Sequence, residues 1–165
     1  MSTLYTTHPG PLGELLLVSD GAALVSVSVP GQRGGATVQP DWERADAHPV
    51  LEEAGRQLDA YFAGTLKEFT LQLAPRGTEF RRRIWDALDA VPYGATTSYG
   101  ELAARAGASR AAVRAVGGAV GANPLLIVRA CHRVIGADGS LTGYAGGLDR
   151  KRHLLALEGA LPGES

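Results

Sequence analysis

The chain has one cysteine, Cys131, in the segment Val128-Arg129-Ala130-Cys131-His132-Arg133-Val134. Two chemistries suit such a residue. A free thiol packs well as a small buried hydrophobe. Deprotonated, it is a nucleophile, and cationic neighbours favour the thiolate. Arg129, His132 and Arg133 all lie within two positions of it. A thiol that only fills a core gains nothing from three basic neighbours, so the pattern favours a nucleophile with a base beside it. Spacing alone does not name the reaction.

A scaffold must present that thiol. Leu125-Leu126-Ile127-Val128 is an apolar run expected to be buried, delivering Cys131 to a floor beneath helices. Ser98-Tyr99-Gly100-Glu101 has capping-box spacing and predicts a short helix through Ala106, which Gly107 can end. Ser109 can then cap a second helix running to about Gly121. Two short helices joined by a tight glycine-containing turn make a helix-turn-helix. On the second, Arg110 and Arg114 share a face at i and i+4, while Val113, Val116 and Val120 line another. Ala111, Ala112, Ala115, Gly117, Gly118 and Ala119 leave this helix little bulk. Interior glycine costs about 1 kcal/mol relative to alanine, so the pair implies close approach of another backbone. A packed helix on one face and DNA on another both satisfy that.

After Cys131, Ala137-Asp138-Gly139 reads as a turn. Gly143-Tyr144-Ala145-Gly146-Gly147 is a glycine-rich loop able to wrap a flat ligand, without the spacing or lysine of a phosphate-binding loop. A last helix carries Leu148, Leu154, Leu155, Leu157 and then Glu158. If Glu158 is buried it needs a partner, and His132 or Arg133 would serve.

The N-terminal half holds no comparable chemistry. Leu15-Leu16-Leu17-Val18, the turn Asp20-Gly21 and the alternating Val25–Val29 predict a β-hairpin. Pro30–Asp41 reads as a loop. Leu51, Ala54, Leu58 and Tyr61 repeat at helical spacing opposite Glu52, Glu53, Arg56 and Asp59. Ala74-Pro75-Arg76-Gly77 is the expected connection, giving domains 1–75 and 76–165. Beyond it, Thr78 can cap a helix with the apolar stripe Phe80, Ile84, Leu88 and Val91. Arg81, Arg82 and Arg83 in its first turns read equally as a solvated face or as phosphate contacts. His8, His48 and His153 have no evident partners and read as surface or structural.

The chain of 165 residues carries a net charge of -1, and 45% of it is apolar. That charge is unevenly divided: residues 1–75 carry four basic and nine acidic side chains, residues 76–165 twelve and eight. Local basic surface, not overall charge, sets phosphate affinity, which marks the second half as the working half. One cysteine excludes an intrachain disulfide and a Cys-x-x-Cys metal site, and no HExxH occurs. Neither a membrane-length apolar run nor a signal-peptide pattern is present, so a cytoplasmic, membrane-free protein is expected.

Cys131-His132-Arg133-Val134 resembles the active-site signature of the O6-alkylguanine-DNA alkyltransferases. The resemblance extends upstream through Val91-Pro92-Tyr93-Gly94, Thr97-Ser98-Tyr99, Leu102-Ala103, Arg114-Ala115-Val116-Gly117 and Asn123-Pro124. Downstream it continues through Gly143-Tyr144, Gly146-Gly147, Leu154-Leu155 and Glu158. It covers essentially all of residues 76–165. Two departures stand out. Ala130 replaces the usual proline, removing a fixed φ before the cysteine. The interval from Tyr99 to Arg114 is one residue longer, at Ala108-Ser109.

The resemblance implies an α+β fold. A small N-terminal antiparallel sheet-plus-helix domain, acting as scaffold, precedes a mainly helical C-terminal domain with a winged helix-turn-helix-like DNA-binding unit. It implies direct-reversal repair of double-stranded alkylated DNA: the alkyl group of O6-alkylguanine, and of O4-alkylthymine, passes irreversibly to Cys131 after base flipping. His132 is then the base that draws off the thiol proton and Glu158 its orienting carboxylate. Tyr99 acts on the 3′ phosphate and donates to the guanine, and Arg114 is the finger replacing the flipped base. Arg110, Ala115, Gly117 and Gly118 line the minor-groove face. Asn123 braces the turn before the active segment, and the Val134 carbonyl, Tyr144, Ala145 and Gly146 line the pocket, with the Ala145 N–H as an oxyanion donor. No metal or cofactor is implied. A monomer is expected, with cooperative assembly on DNA an open alternative. A lesion-binding module that does not react, and a thiol hydrolase using Cys131, His132 and Glu158, are the competing readings. Relatives of the first kind lack the cysteine, and the second leaves the helix-turn-helix unexplained.

Overall fold

The computed structural model describes residues 2–74 and 77–161, with Arg110 by its backbone alone. The chain divides into two compact units, Met1–Pro75 and Arg76–Ser165. Pro75 and Arg76, within the connection expected at Ala74–Gly77, lie outside the described residues.

In the first unit, β1 (Leu4–Gly10), β2 (Gly13–Ser19), β3 (Leu24–Ser28) and β4 (Glu43–Arg44) form one sheet in the order β3-β2-β1-β4. The expected hairpin is β2–β3. Its turn closes because Asp20 Oδ1 accepts from the Ala22 and Ala23 N–H groups, each at 2.9 Å. Antiparallel pairing runs through β3, β2 and β1, whereas the two-residue β4 joins β1 in parallel. Helix α1 (Pro49–Phe62) packs on β1, β2 and β3. Leu51, Ala54, Leu58 and Tyr61 are buried on α1, as are Leu15, Leu17, Leu24 and Val27 on the strands. Each fully buried leucine contributes about 1.5–3 kcal/mol. Two histidines acquire structural roles. His48 caps α1, its Nδ1 accepting from Val50 N–H at 3.3 Å, and His8 Nε2 lies 2.7 Å from Asp59 Oδ1.

The second unit contains α2 (Glu79–Asp89), α3 (Tyr99–Arg105), α4 (Val113–Gly121) and α5 (Leu148–Leu157), with 3-10 turns at Arg110–Ala112 and Cys131–Arg133. Thr78 caps α2 by accepting from Arg81 N–H at 3.1 Å, and Ser98 caps α3 by accepting from Glu101 N–H at 3.1 Å. Helix α2 packs against α3 and α4. Trp85, a residue outside the expected stripe, is buried and donates from Nε1 to the Ala119 carbonyl at 2.9 Å, fixing α2 to α4.

The second helix of the helix-turn-helix departs from expectation at its start. Residues 110–112 form a 3-10 turn and the α-helix begins at Val113, without a side-chain cap from Ser109. Ser109 contributes its backbone instead, its carbonyl accepting from Ala112 N–H at 2.9 Å. Val113 faces out at 38% exposure while Val116 and Val120 are buried. Gly107, at φ +74°, ends α3 and turns the chain toward α4. Among the described residues no helix is long and apolar enough to cross a membrane.

Candidate active site

The approach to Cys131 is a strained, tightly bonded turn. Asn123, at the end of α4, accepts from Leu125 N–H at 3.0 Å through Oδ1 and donates from Nδ2 to the Arg129 carbonyl at 3.0 Å. One amide side chain thus closes the whole of 124–129. Within that turn Ile127, buried and β-branched, sits at φ +73°, a conformation such residues rarely adopt. The bonding of Asn123 holds what a proline at 130 does not. The segment is tied to the start of α3 by Thr97 N–H donating to the Arg133 carbonyl (2.9 Å) and Ile135 N–H to the Thr97 carbonyl (2.8 Å).

Cys131 and His132 are both buried, in one 3-10 turn. His132 Nε2 lies 2.8 Å from Glu158 Oε2, with neither side chain exposed. Arg133 Nε and Nη2 donate to the two oxygens of Glu158 at 2.8 and 3.0 Å, and Nη1 donates to the Val91 carbonyl at 2.6 Å. Gly94 N–H donates to Glu158 Oε1 at 3.4 Å. Both partners suggested for Glu158 therefore engage it, and the Val91–Gly94 segment is bound to the same carboxylate.

This network fixes the protonation of the imidazole. A carboxylate held by a guanidinium accepts only, so Nε2 of His132 carries the hydrogen that it donates. Burial holds His132 below its ordinary pKa, opposed by the hydrogen bond and charge of Glu158, so the ring is neutral. Its remaining nitrogen, Nδ1, is buried with no hydrogen-bond partner among the described residues. It is a lone pair without a proton: a base.

The flanking cations do not do what their sequence positions imply. Burial pushes the Cys131 thiol up to about 11, with smaller lowering from Asn123, Lys151 and Arg129. Arg133 is committed to Glu158, and Arg129 lies over the Trp85 ring, 4.9 Å from its centroid, with Nε 3.6 Å from Asp89 Oδ1. At pH 8 a thiol of that pKa is ionised in only about one molecule in a thousand. The resting sulfur is a thiol, and reaction requires a base.

The glycine-rich loop and the residue before it meet side chains of α3 and α5. Tyr99 Oη lies 3.4 Å from Thr142 Oγ1. Tyr144 is half-buried, and a Cβ on the buried Gly146 would come within 2.8 Å of its ring, so glycine there permits the ring's close approach. Ala145 is half-buried between them. Lys151, fully buried on α5, donates from Nζ to the carbonyls of Val134, Thr142 (3.0 Å) and Gly143 (3.4 Å). Sequence reasoning missed Lys151, which stands between Arg150 and Arg152 and looks like part of a solvated run. The signal was its spacing: 151, 154, 155 and 158 fall on one helical face, the face of Leu154, Leu155 and Glu158.

On α4, Arg114, Ala115 and Gly118 are exposed and Gly117 is half-buried. A Cβ on Gly118 would meet nothing within 4 Å, and one on Gly117 only the Tyr99 ring edge at 3.8 Å. Close helix packing inside the unit therefore does not explain this glycine pair. Arg110 belongs to the preceding turn, and its side chain lies outside the described atoms. Among the described residues no group of three or more His, Cys, Asp or Glu is placed to hold a metal.

Fold and site together define a single-thiol protein in which a buried imidazole–carboxylate pair follows the cysteine in the same unit as a helix-turn-helix. The family model for the 6-O-methylguanine DNA methyltransferase DNA binding domain matches residues 79–160, and that for the ribonuclease-like domain of the same proteins matches residues 3–75. The methylated-DNA--protein-cysteine methyltransferase of Methanosarcina acetivorans is 47% identical over 156 residues, covering 94% of this chain and 98% of that protein. The protein of the same name from Mycolicibacterium paratuberculosis is 52% identical over 155 residues, covering 93% and 91%. The crystal structure of Mycobacterium tuberculosis OGT in complex with DNA superposes with a TM-score of 0.86 at 47% identity, over 95% of this chain and 93% of that one. The chain belongs to the 6-O-methylguanine DNA methyltransferase family.

Proposed function

We propose that this protein repairs alkylated duplex DNA by direct reversal, taking the alkyl group of O6-alkylguanine onto Cys131 in a single irreversible turnover. The observation that carries the reading is His132, next to Cys131 in the chain, with its Nε2 2.8 Å from Glu158 Oε2 and its Nδ1 buried without a hydrogen-bond partner among the described residues. His132 draws the proton from sulfur, through a water, as the sulfur–carbon bond forms and the carbon–oxygen bond to guanine breaks. The guanine leaves as an oxyanion that takes up a proton. Tyr99 and the Ala145 N–H are its donors, and the carbonyls of Cys131 and Val134 read the exocyclic amine. Each of those carbonyls already accepts one bond, from Val134 N–H (3.3 Å) and Lys151 Nζ respectively, and retains a second lone pair. The thioether cannot be turned over. No metal or cofactor enters the chemistry.

A lesion inside a duplex is out of reach of a buried thiol, so the nucleotide must be extruded, at a cost of a few kcal/mol in stacking. Helix α4 enters the minor groove, where Ala115, Gly117 and Gly118 allow close approach. Arg114 takes the place of the departed base, Tyr99 presses on its 3′ phosphate, and Arg110 contacts the backbone. Asn123 braces the turn and Tyr144 and Gly146 shape the pocket. O4-alkylthymine, which presents the same reacting group, is a second substrate. Residues 1–75 serve as scaffold and 76–165 as the DNA-binding and acceptor domain. The protein acts as a monomer in the cytoplasm.

The test is intact-protein mass after incubation with excess duplex carrying O6-methylguanine. The expected result is a gain of one methylene per chain, saturating at one equivalent, and none in Cys131→Ser, which still binds the duplex. Tight, lesion-selective binding with no mass gain would overturn transfer and make this a damage-recognition protein.

A further inference from the structure

Lys151 is fully buried in the second unit. Lysine is almost never fully buried without compensation, yet Lys151 has no exposed surface, at a helix position flanked by Leu154 and Leu155 where an apolar side chain would pack. Its ammonium has three hydrogens and three acceptors: the carbonyls of Val134, Thr142 and Gly143. Those carbonyls come from two separate stretches. Val134 directly follows the turn that carries Cys131, while Thr142 and Gly143 open the loop that continues into Tyr144, Ala145 and Gly146. Residues 137–143 contain no helix or strand, so the loop is held to the cysteine turn by point contacts. Besides Lys151, the Ser140 carbonyl accepts from Gly136 N–H at 2.8 Å, and Tyr99 Oη on α3 lies 3.4 Å from Thr142 Oγ1.

We propose that Lys151 is a positioning residue for alkyl transfer: its ammonium latches the Thr142–Gly143 loop to the Val134 carbonyl, setting the width of the pocket beside Cys131. This rests on the alkyl-transfer reading of the site. The latch ties the Val134 carbonyl to the segment that leads into Ala145, and so sets the spacing of the two backbone groups that the proposed function gives to guanine. It also sets a positive charge where a thiolate forms. Burial depresses Lys151 to about 8, and the charge of Cys131 opposes that depression. The same Lys151 charge favours ionisation of the thiol.

Two variants in the full chain test this, Lys151→Met, which removes donors and charge, and Lys151→Gln, which keeps two donors and loses the charge. Three quantities are read: the transfer rate at saturating O6-methylguanine duplex, duplex affinity in a Cys131→Ser background, and hydrogen exchange of the 142–147 amides. In Lys151→Met the saturated rate falls by at least about tenfold, the scale of a misplaced reacting group, while affinity stays within about threefold. The 142–147 amides exchange faster, and the amides of α3 and α4 do not. Lys151→Gln regains loop protection and part of the rate. If Lys151→Met does not fold, Lys151→Gln decides alone: a saturated rate equal to that of the parent protein overturns the proposal. So does a rate loss in either variant with the loop amides unchanged. If the parent chain takes up no methyl group, the transfer reading fails, and exchange at 142–147 still decides whether the latch exists.

Discussion

At the scale of the residue, the active site separates two jobs often given to one group. Burial raises the pKa of Cys131 and lowers that of His132, and in the proposed reaction His132 Nδ1 supplies the base. The two therefore leave different marks on a pH profile. Small electrophiles in solution react with the thiolate, so alkylation of Cys131 by iodoacetamide should rise about tenfold per pH unit toward a midpoint near 11. Transfer from lesion DNA draws on the imidazole. It should be nearly flat above pH 7 and fall only on acidification below the ordinary histidine range, because the depressed His132 pKa keeps the base free down to lower pH. Rapid-quench transfer rates and mass-monitored alkylation from pH 5 to 9.5 would compare the two. Parallel curves would mean that a preformed thiolate does both. Cys131, His132 and Glu158 could be named from their types and surroundings, and the structure brings His132 Nε2 within 2.8 Å of Glu158 Oε2. Sequence reasoning misjudged the electrostatics. Proximity in sequence suggested cations turned on the sulfur, but Arg133 faces Glu158 and Arg129 lies on Trp85. Side-chain direction, which spacing does not encode inside a 3-10 turn, made the difference.

At the scale of the element, α4 carries a stripe of small residues that the protein does not itself cover. Gly118 is the sharpest probe because its Cβ direction is open. Gly118→Ala should raise the melting temperature, by up to the equivalent of about 1 kcal/mol, through lost unfolded-state freedom. It should nevertheless weaken duplex binding, measured by fluorescence anisotropy. Stability gained with affinity unchanged would remove this position from the interface. Arg114→Ala should slow repair of duplex DNA far more than reaction with free O6-benzylguanine, because only the duplex has a stack to fill. Equal losses in the two assays would contradict the finger role. Elements with strong local signals were legible. The Asp20-Gly21 turn and the caps at Thr78 and Ser98 encode themselves within four residues, and the Leu51–Tyr61 stripe repeats at helical spacing over three turns. β1 was not, because its partner lies beyond a turn and its burial does not alternate cleanly; nor was the two-residue β4, too short to show a period. The start of α4 was misplaced because Ser109 offers a cap by type, whereas its backbone carbonyl, not its hydroxyl, engages the 3-10 turn, accepting from Ala112 N–H.

At the scale of the whole molecule, the net charge of -1 conceals a basic second half. Affinity for undamaged duplex should therefore fall steeply with salt, each neutralised phosphate contributing about 0.9 to the slope of log affinity against log salt. Arg81, Arg82 and Arg83 are exposed on the first turns of α2. If they meet phosphates, alanine at any one of them lowers the slope by about one, as titrations between 50 and 300 mM salt would read; an unchanged slope assigns them to solvent.

The depth of the thiol also bears on how long the protein keeps. A reagent that works once has a shelf life, set by every oxidant and stray electrophile it meets before its target. Peroxide and small alkylators consume thiolates, and a sulfur held near 11 offers them almost none. On the proposed reading, seclusion should make Cys131 slow toward everything except a substrate delivered to it beside His132. The same burial that makes the reaction depend on a base keeps the unused protein loaded.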